Sequence, residues 1–457
     1  MVQNMTAVLS ALEHRLDHPT AKGLAHAVSA AIRDGELVAG DRLPPIRTVA
    51  AQLALSPTTV SAAWALLARS GAVHADGRRG TTVLEQGGAT GGRYRQALRH
   101  ESVFSLDLST GVPDPALLPS LGSVLAQLTS APTTGSYLDD PVLPALADAL
   151  RQDWPYAAAN LAVVDGAMDA MDLIVRTTLR FGDRVVVEDP GFPPLVDLLE
   201  SVGVQLVGVP LDDEGLELGA LEAALREPVA AVFLQPRAQN PVGVTMTTAR
   251  AEAVAALLDG TETLVVEDDS AAGLSSETLV SLGRWRPEHT AYLRSFSKSH
   301  GPDLRLAALS APTALHRALT TRRELGQGWS SRLLQQVLHG LLTSETARAE
   351  VAHASVTYAA RRAHVVDALA ARGVPVPGTE GINIWVPVLD ETAAVVRLAS
   401  KGIGVAAGAP FRIGAPEAGG SGGHVRVTVG AVTGDLDAVA DALADAALAG
   451  GRQRRAR

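Results

Sequence analysis

The stretch LRSFSKSHGPDLRLAAL, residues 293–309, decides how the rest of the chain is read. It joins two short apolar runs, AYLRSFSK (291–298) and RLAALSAP (305–312), through a turn that carries Gly301 and Pro302. Apolar runs of this length, closed by turn residues, read as buried strands. Lys298 stands where the first strand ends. The chain has only three lysines, Lys22, Lys298 and Lys401, among 39 basic residues. Arginine cannot lose its proton to become a nucleophile and an amine can, so a lysine kept in an arginine-rich chain is a candidate reactive amine.

The same pattern recurs upstream in VVVEDPGF (185–192), AAVFLQPRAQNP (230–241) and TLVVEDDS (263–270), with helical stretches between. That alternation predicts an α/β body, a mostly parallel sheet with helices on both faces. Ligands of such sheets bind at the carboxyl ends of the strands. Lys298, Asp268 and Asn240 all fall at those ends. Lys298 can form an imine with an aldehyde cofactor. Ser295, Ser297 and Arg305 can grip a dianionic phosphate. The backbone N–H groups at Gly166-Ala167-Met168, which open the helical stretch DAMDLIVRTTL, can complete the cradle. Asp268 can hold a pyridinium proton, Asn240 can donate to a phenolic oxygen and Phe192 can stack on a ring. Taken singly, each is an ordinary surface lysine, turn, cap, ion pair or core aromatic. Their order along one chain meets the needs of pyridoxal 5'-phosphate.

Toward the N-terminus the pattern changes. Leu24, Val28 and Ile32 mark one helix, closed by Gly35. Ile46, Val49, Ala50 and Leu53 mark a second, entered through Pro44-Pro45. Ser56 caps a third, with Pro57 in its first turn and Val60, Trp64 and Leu67 on its apolar face. Asp76-Gly77 signals a hairpin with Arg78 and Arg79 at its tip. This is a winged helix-turn-helix, whose third helix can enter the major groove while the wing lies beside phosphates. A small three-helix packing module is the other reading of the same pattern. Residues 1–83 hold 8 basic and 6 acidic residues, against 31 and 43 in the remainder, so a mildly basic head precedes an acidic body. The Gly-rich, then basic segment 84–104 reads as a flexible tether.

Composition narrows the classes further. With 47% hydrophobic and 19% charged residues in 457, the chain is globular, long enough for two or three domains, and neither disordered nor a coiled coil. There are no cysteines, which excludes disulfides and thiol chemistry. No apolar run approaches the roughly 18 residues of a membrane span, and no cleavable signal opens the chain, so a cytoplasmic protein is expected. The histidines show no metal-ligand spacing, and no metal is expected. Residues 414–424, GAPEAGGSGGH, are either a substrate lid or a disordered loop. The tail GRQRRAR is either a solvated charge run or an auxiliary DNA contact.

Two resemblances sharpen these readings. The run GELVAGDRLPPIRTVAAQLALSPTTVSAAWALLARSGAV resembles the winged-helix domain of the GntR family. That resemblance implies DNA contacts from Arg47, Thr58, Thr59, Arg78 and Arg79. Pro57 stands where the family usually has arginine. From about residue 105 onward the chain resembles the fold-type I aminotransferases through LSTGVPDPALLPS, SYLDDP, VVDGAMDAMDLI, VVVEDPGFPPL, QPRAQNPVGVTM, VVEDDSAAG, LRSFSKSHGPDLRLAAL, INIWVPV and HVRVTVGAV. The fusion is most similar to the MocR-type regulators. The expected domains are therefore 1–83, a winged helix; 84–104, a linker; and 105–457, a pyridoxal phosphate-binding body with a small α+β subdomain from about 346.

The resemblance implies that Lys298 forms the internal aldimine, Asp268 pairs with the pyridine nitrogen, Asn240 reaches O3′ and Phe192 stacks on the ring. Ser295, Arg305 and the Gly166–Ala167 backbone would take the phosphate, with Tyr137 reaching it from a partner subunit of a homodimer. Arg426 would bind the carboxylate of an amino compound. Arg412 is a second carboxylate candidate or a surface ion pair. Ser270 stands where the family has tyrosine, Val242 where it has threonine, and Val142-Leu143 where it usually places glycine. The leading expectation is a regulator that binds promoter double-stranded DNA and senses an amino compound. The alternatives are a working class I/II aminotransferase with an accessory head, and a sensor of pyridoxal phosphate alone.

Overall fold

The computed structural model describes residues 9, 12–16, 18–33, 36–38, 40–69, 73–76, 80–83, 92, 104–128, 135–413 and 423–449. The chain divides into two compact units. One is Met1–Gly92 with Thr178–Val185 and Val196–Leu206; the other is Arg93–Thr177 with Val186–Leu195 and Val207–Arg457.

The head of the first unit contains α1 (Ala21–Arg33), α2 (Ile46–Gln52) and α3 (Pro57–Arg69), followed by the antiparallel pair β1 (Val73–Asp76) and β2 (Gly80–Val83). The apolar positions read from the sequence do close on one another: Leu24, Val28, Val49, Val60, Trp64 and Leu67 are all buried in one cluster. The turn between α2 and α3 passes through Ala54 in the left-handed region (φ 53°), which lets the second helix stop and the third start almost at once. Ser56 caps α3 as expected, its Oγ accepting from Thr59 N–H at 3.0 Å. Proline fits the first position of α3 because an N–H there would have no helical partner. A third short segment, not foreseen, lies against β2: Leu43 N–H donates to Thr81 O at 2.9 Å and Val83 N–H to Asp41 O at 2.8 Å.

An eight-stranded sheet follows, all of it in the second unit except residues 184–185 and 205–206. Its strands are β3 (Ala162–Val164), β4 (Arg184–Asp189), β5 (Gln205–Asp212), β6 (Gly215–Leu216), β7 (Ala231–Leu234), β8 (Leu264–Asp269), β9 (Thr290–Ser295) and β10 (Ala307–Ser310), in the order β3-β10-β9-β8-β7-β4-β5-β6. β7, β8 and β9 run parallel, while β10 and β3 continue antiparallel beyond them. Strands buried on both faces must be apolar throughout. β7 and β10 are fully buried along their lengths, as are all but the first residue of β8. β8 runs on through Asp269, so Asp268 is the last residue but one of its strand rather than the first of a turn.

The last part of the chain forms a smaller layer. β11 (Ile384–Val388), β12 (Ala406–Ala407) and β13 (Gly423–Val427) pair antiparallel in the order β11-β13-β12. The long helix α5 (Glu345–Ala371) and α6 (Leu436–Ala447) pack against this sheet, burying Val365, Leu369, Ile384, Val427 and Leu443. Leu106–Asp107 joins this layer by pairing with Ile403–Gly404. Of the segment 414–424, read as either a lid or a disordered loop, residues 414–422 lie outside the described residues, as do the arginine-rich tail and nearly all of the expected tether.

Candidate functional site

The carboxyl ends of four strands deliver side chains to one cavity of about 340 Å³. Phe192 follows β4, Gln235 and Asn240 follow β7, Asp268 and Ser270 close β8, and Ser295, Ser297 and Lys298 close β9. The first turn of α4 (Ala167–Thr178) adds Ala167 and Met168, and Arg305 and Arg426 complete the wall. Of the body's candidates named from sequence, Ala167, Phe192, Asn240, Asp268, Ser295, Lys298, Arg305 and Arg426 line this one cavity.

Two atoms on this wall state what belongs there. Asp268 accepts from Gln235 Nε2 on Oδ2 at 2.7 Å, while its Oδ1 is buried without a hydrogen-bond partner. Asn240 Oδ1 is buried and unpartnered too. Buried polar atoms are almost always paired, so two orphans lining one cavity point to a ligand's polar groups. A carboxylate acceptor suits a protonated ring nitrogen, and a carboxamide, whose two ends are interchangeable, suits a ring oxygen. These residues therefore fit pyridoxal phosphate.

Lys298 Nζ donates to Ser270 Oγ at 3.2 Å. Burial pushes its ammonium down to about 8; Asp268 opposes this and Arg426 adds to it. At pH 7 roughly a tenth of such an amine is neutral, about 300 times the fraction for a solvated lysine. Burial likewise pushes the Asp268 carboxyl up to about 6, against the pull of the Gln235 hydrogen bond and the Lys298 charge.

At the other end of the cavity the backbone makes an anion cup. Gly166 adopts φ +105°, and a Cβ placed there would stand 3.1 Å from Arg305 Nη2. Arg305 itself lies in the left-handed region (φ 51°) and donates from Nη2 to Asp165 O at 2.9 Å. The N-terminal turn of α4 presents its unsatisfied N–H groups and positive dipole end to the same place. Ser295 Oγ accepts from Ser297 N–H at 3.4 Å.

Arg426 on β13 is 1% exposed, donates to Ser109 O and lies 5.1 Å from the centroid of the Phe411 ring. Gly111, at φ +68°, makes room for it: a Cβ there would stand 3.3 Å from Arg426 Nη1. Besides Gly166, which borders the cavity through Arg305, Arg412 and Tyr137 are not among the lining residues. Arg412 pairs with Asp189, Nε to Oδ1 at 3.3 Å. Tyr137 is 88% exposed, its ring centroid 5.9 Å from that of Trp329.

Sequence reasoning missed the layer behind Asp268. Gln235 bonds Asp268 and also accepts from Asn240 N–H at 2.8 Å, so one side chain fixes both. Arg237 and Asp269 form a buried ion pair at 2.5 Å, with Tyr292 donating to Asp269. Glu188 accepts from Gln235 N–H and Gln239 Nε2, each at 3.1 Å. The signal was available: QPRAQNP (235–241) is a polar run directly after a buried strand.

Burial pushes the Glu188 carboxyl up from its ordinary 4.5 to about 8, and Asp268 adds to the rise. The folded state thus holds this proton more tightly than the unfolded chain does. Its contribution to stability is present below pH 4.5 and is lost as pH climbs through 8. Glu188→Gln, which carries no titrating proton, should flatten the fall in melting temperature between pH 5 and 8. The slope removed is at most about 1.4 kcal/mol per pH unit. An unchanged pH profile of thermal unfolding would count against this assignment.

In the head, Arg47 is exposed in the first turn of α2. Thr58 and Thr59 stand at the start of α3, and both hydroxyls lie 2.7 Å from Ser56 Oγ. The N-terminal end of the second helix of a helix-turn-helix is the part that meets base edges. Arg78 and Arg79 lie outside the described residues.

Residues 105–443 match the family described as "Aminotransferase class I and II", and residues 20–83 match "Bacterial regulatory proteins, gntR family". Over 410 residues, covering 88% of this chain and 94% of the relative, the chain is 34% identical to the vitamin B6 salvage pathway transcriptional repressor PtsJ of Salmonella typhimurium. The chain belongs to the MocR-type regulators. This regulator is also 29% identical, over 73% of its own length and 75% of the relative's, to the pyridoxine biosynthesis transcriptional regulator PdxR of Corynebacterium glutamicum. Among solved structures its fold is similar to an archaeal alanine:glyoxylate aminotransferase (TM-score 0.70, 20% identity, 78% of this chain and 96% of that one). The MocR-type regulator is accordingly a gntR-type helix-turn-helix joined to an α/β aminotransferase fold, and its function is transcription regulation rather than that of a plain aminotransferase. Among the described residues, no helix is long and apolar enough to cross a membrane. The residues in place of the usual glycines have a structural use: Val142 and Leu143 pack against the cluster holding Leu146 and Val163.

Proposed function

We propose that this regulator binds pyridoxal phosphate at Lys298 and an amino compound beside it, and that this ligand changes the affinity of the head for promoter DNA in the cytoplasm. The observation that carries the reading is the pair of buried, unpartnered polar ends, the Asp268 carboxylate oxygen Oδ1 and the carboxamide end of Asn240, on a wall shared with a neutralisable lysine. Bound there, pyridoxal phosphate supplies an aldehyde for amines and an electron-withdrawing ring. The chain's own residues do the rest: Asp268 holds the ring proton, Asn240 orients the ring oxygen, and Phe192 covers the ring. Ser295, Arg305 and the Gly166–Ala167 backbone hold the phosphate, while Arg426 binds the effector's carboxylate. Arg412 stays in reserve as a second carboxylate contact.

The remaining assignments follow the same reading. Residues 1–83 read DNA through Arg47, Thr58, Thr59, Arg78 and Arg79, residues 84–104 tether them, and residues 105–457 form the sensing body. The chain works as a homodimer in which Tyr137, exposed on its own subunit, reaches the partner's phosphate. Sedimentation at micromolar concentration checks the last point; a monomer that holds the cofactor tightly would overturn it.

The effector can alter DNA affinity only if it binds the DNA-competent arrangement differently from the other. The test is fluorescence anisotropy of the full-length chain on the DNA upstream of its own gene, with pyridoxal phosphate and a panel of amines. A change of about 5- to 150-fold with one amine is the expected size of such coupling. A second reading, that pyridoxal phosphate is itself the signal, is favoured by the names of PtsJ and PdxR. It wins if the cofactor alone produces the whole change. Turnover near 10 s⁻¹, an ordinary enzyme rate, with a common amino donor would instead restore the aminotransferase reading.

For the head, Arg78→Ala with Arg79→Ala should weaken binding to all sequences alike. The slope of log affinity against log salt should fall by about 0.9 for each phosphate that the variant no longer neutralises. An unchanged slope in the double variant would remove the wing from the interface.

A further inference from the structure

A second cavity, of about 110 Å³, has one lining residue in common with the first, and that residue is Lys298. Its walls come from the segment after β8 (Ala271, Leu274), from α5 (Arg362) and from the strand-entry segment holding Glu380 and Ile382. Arg362 is 2% exposed. Its guanidinium donates to Asn383 O and, at 3.2 Å, to Pro377 O, and its Nε is buried with no partner. A guanidinium has five N–H donors, so three of them have no acceptor here. The charge of Glu380 acts on Arg362, but no hydrogen bond joins the two, so the unpaired N–H groups stay costly until an acceptor joins them.

Three other charged residues line the wall, Lys298, Glu277 and Glu380; Glu277 is exposed, and the bonds of Glu380 tell which anion is suited. Glu380 accepts from Ser276 N–H and Oγ and from Glu277 N–H on Oε1, and from Ser275 Oγ and Thr245 Oγ1 on Oε2. A carboxylate offers about four acceptor sites, so Glu380 has none left for an ammonium group. With Glu380 filled and Glu277 exposed to water, the cavity is better suited to a plain carboxylate than to a zwitterion. It offers a planar fork on Arg362, which matches a carboxylate, and apolar walls at Ala271, Leu274 and Ile382 for a short tail. Cavities of about 150 Å³ hold a benzene, so this one is sized for a few non-hydrogen atoms.

We propose that this cavity is a second ligand site, taking a short-chain monocarboxylate on Arg362 and coupling it to the cofactor site through Lys298. The coupling, though not the binding, rests on the function proposed above. A negative charge beside Lys298 favours its charged form and so slows its reaction with an aldehyde.

The test is calorimetric titration of the full-length chain with propionate at constant ionic strength, with and without pyridoxal phosphate. Propionamide, the same shape without charge, serves as control. Saturable binding of propionate but not propionamide is expected, weakened at least about tenfold by Arg362→Met. Ala359→Phe, which plugs the wall from an exposed position of α5, should block binding even if Arg362→Met does not fold. Arg426→Gln and Arg305→Gln alter the other cavity and should leave binding intact. No binding by the wild type, or binding lost in Arg426→Gln and kept in Arg362→Met, overturns the proposal. In stopped-flow mixing, saturating propionate should also slow pyridoxal phosphate capture several-fold; an unchanged rate overturns the coupling. Absence of any visible cofactor band would count against the cofactor reading alone, since the propionate titration without cofactor stands apart from it.

Discussion

In the Lys298→Ala variant, pyridoxal phosphate should bind only reversibly, with the absorbance of the free aldehyde in place of the imine band and no label fixed by borohydride. The other cavity residues that would hold the ring and phosphate are untouched, so loss of the covalent bond should precede loss of binding. The pH dependence of the wild type tests the cause. Only the neutral amine attacks an aldehyde, and burial brings Lys298 down to about 8. The rate of cofactor capture should therefore rise about tenfold per pH unit below pH 8 and level off above it. A solvated lysine would go on accelerating to beyond pH 10. Stopped-flow absorbance of the cofactor-free chain between pH 6.5 and 10 separates the two cases. A borohydride-fixed label mapped to Lys22 or Lys401, or a rate still climbing at pH 10, would refute the assignment.

Much of this site was legible because the chemistry is concentrated at strand ends. A buried strand is a short apolar run, its end is a turn, and the residue types that follow are few. AYLRSFSK, TLVVEDDS and AAVFLQPRAQNP each announced both a strand and the residues it delivers. The head was legible for a different reason: its helices are amphipathic, so Leu24, Val28 and Trp64 mark the buried face by spacing alone. What stayed hidden depends on contacts distant in sequence. Glu188 meets Gln235 N–H across 47 residues, and Arg426 meets Ser109 O across 317. Neither partner carries a local pattern that predicts the other. Arg362 was hidden for the opposite reason. It lies in the long α5, where an arginine reads as a solvated helix face, yet the layer beyond buries it. The second cavity could only be found once β8, α5 and the Glu380 segment were seen to enclose it.

The anion cup gives the sharpest test of how backbone conformation serves the proposed cofactor. Arg305→Ala should raise the dissociation constant for pyridoxal phosphate far more than that for pyridoxal, which has no phosphate. A hydrogen bond to a charged group contributes about 1.5–3 kcal/mol, so losing one weakens binding roughly 10- to 150-fold. Gly166→Val should reach the same result without removing any phosphate ligand. The position requires φ +105°, which a β-branched residue does not adopt, and its Cβ would stand 3.1 Å from Arg305 Nη2. The added side chain must therefore displace the arginine, the start of α4, or both. Because the two substitutions act on the same phosphate-holding group, their effects should not add. The double variant Gly166→Val with Arg305→Ala should bind pyridoxal phosphate about as weakly as the worse single variant. Fully additive losses would mean that Gly166 shapes the helix entry independently of Arg305. Equal losses for pyridoxal and pyridoxal phosphate would mean that the cup does not hold the phosphate at all.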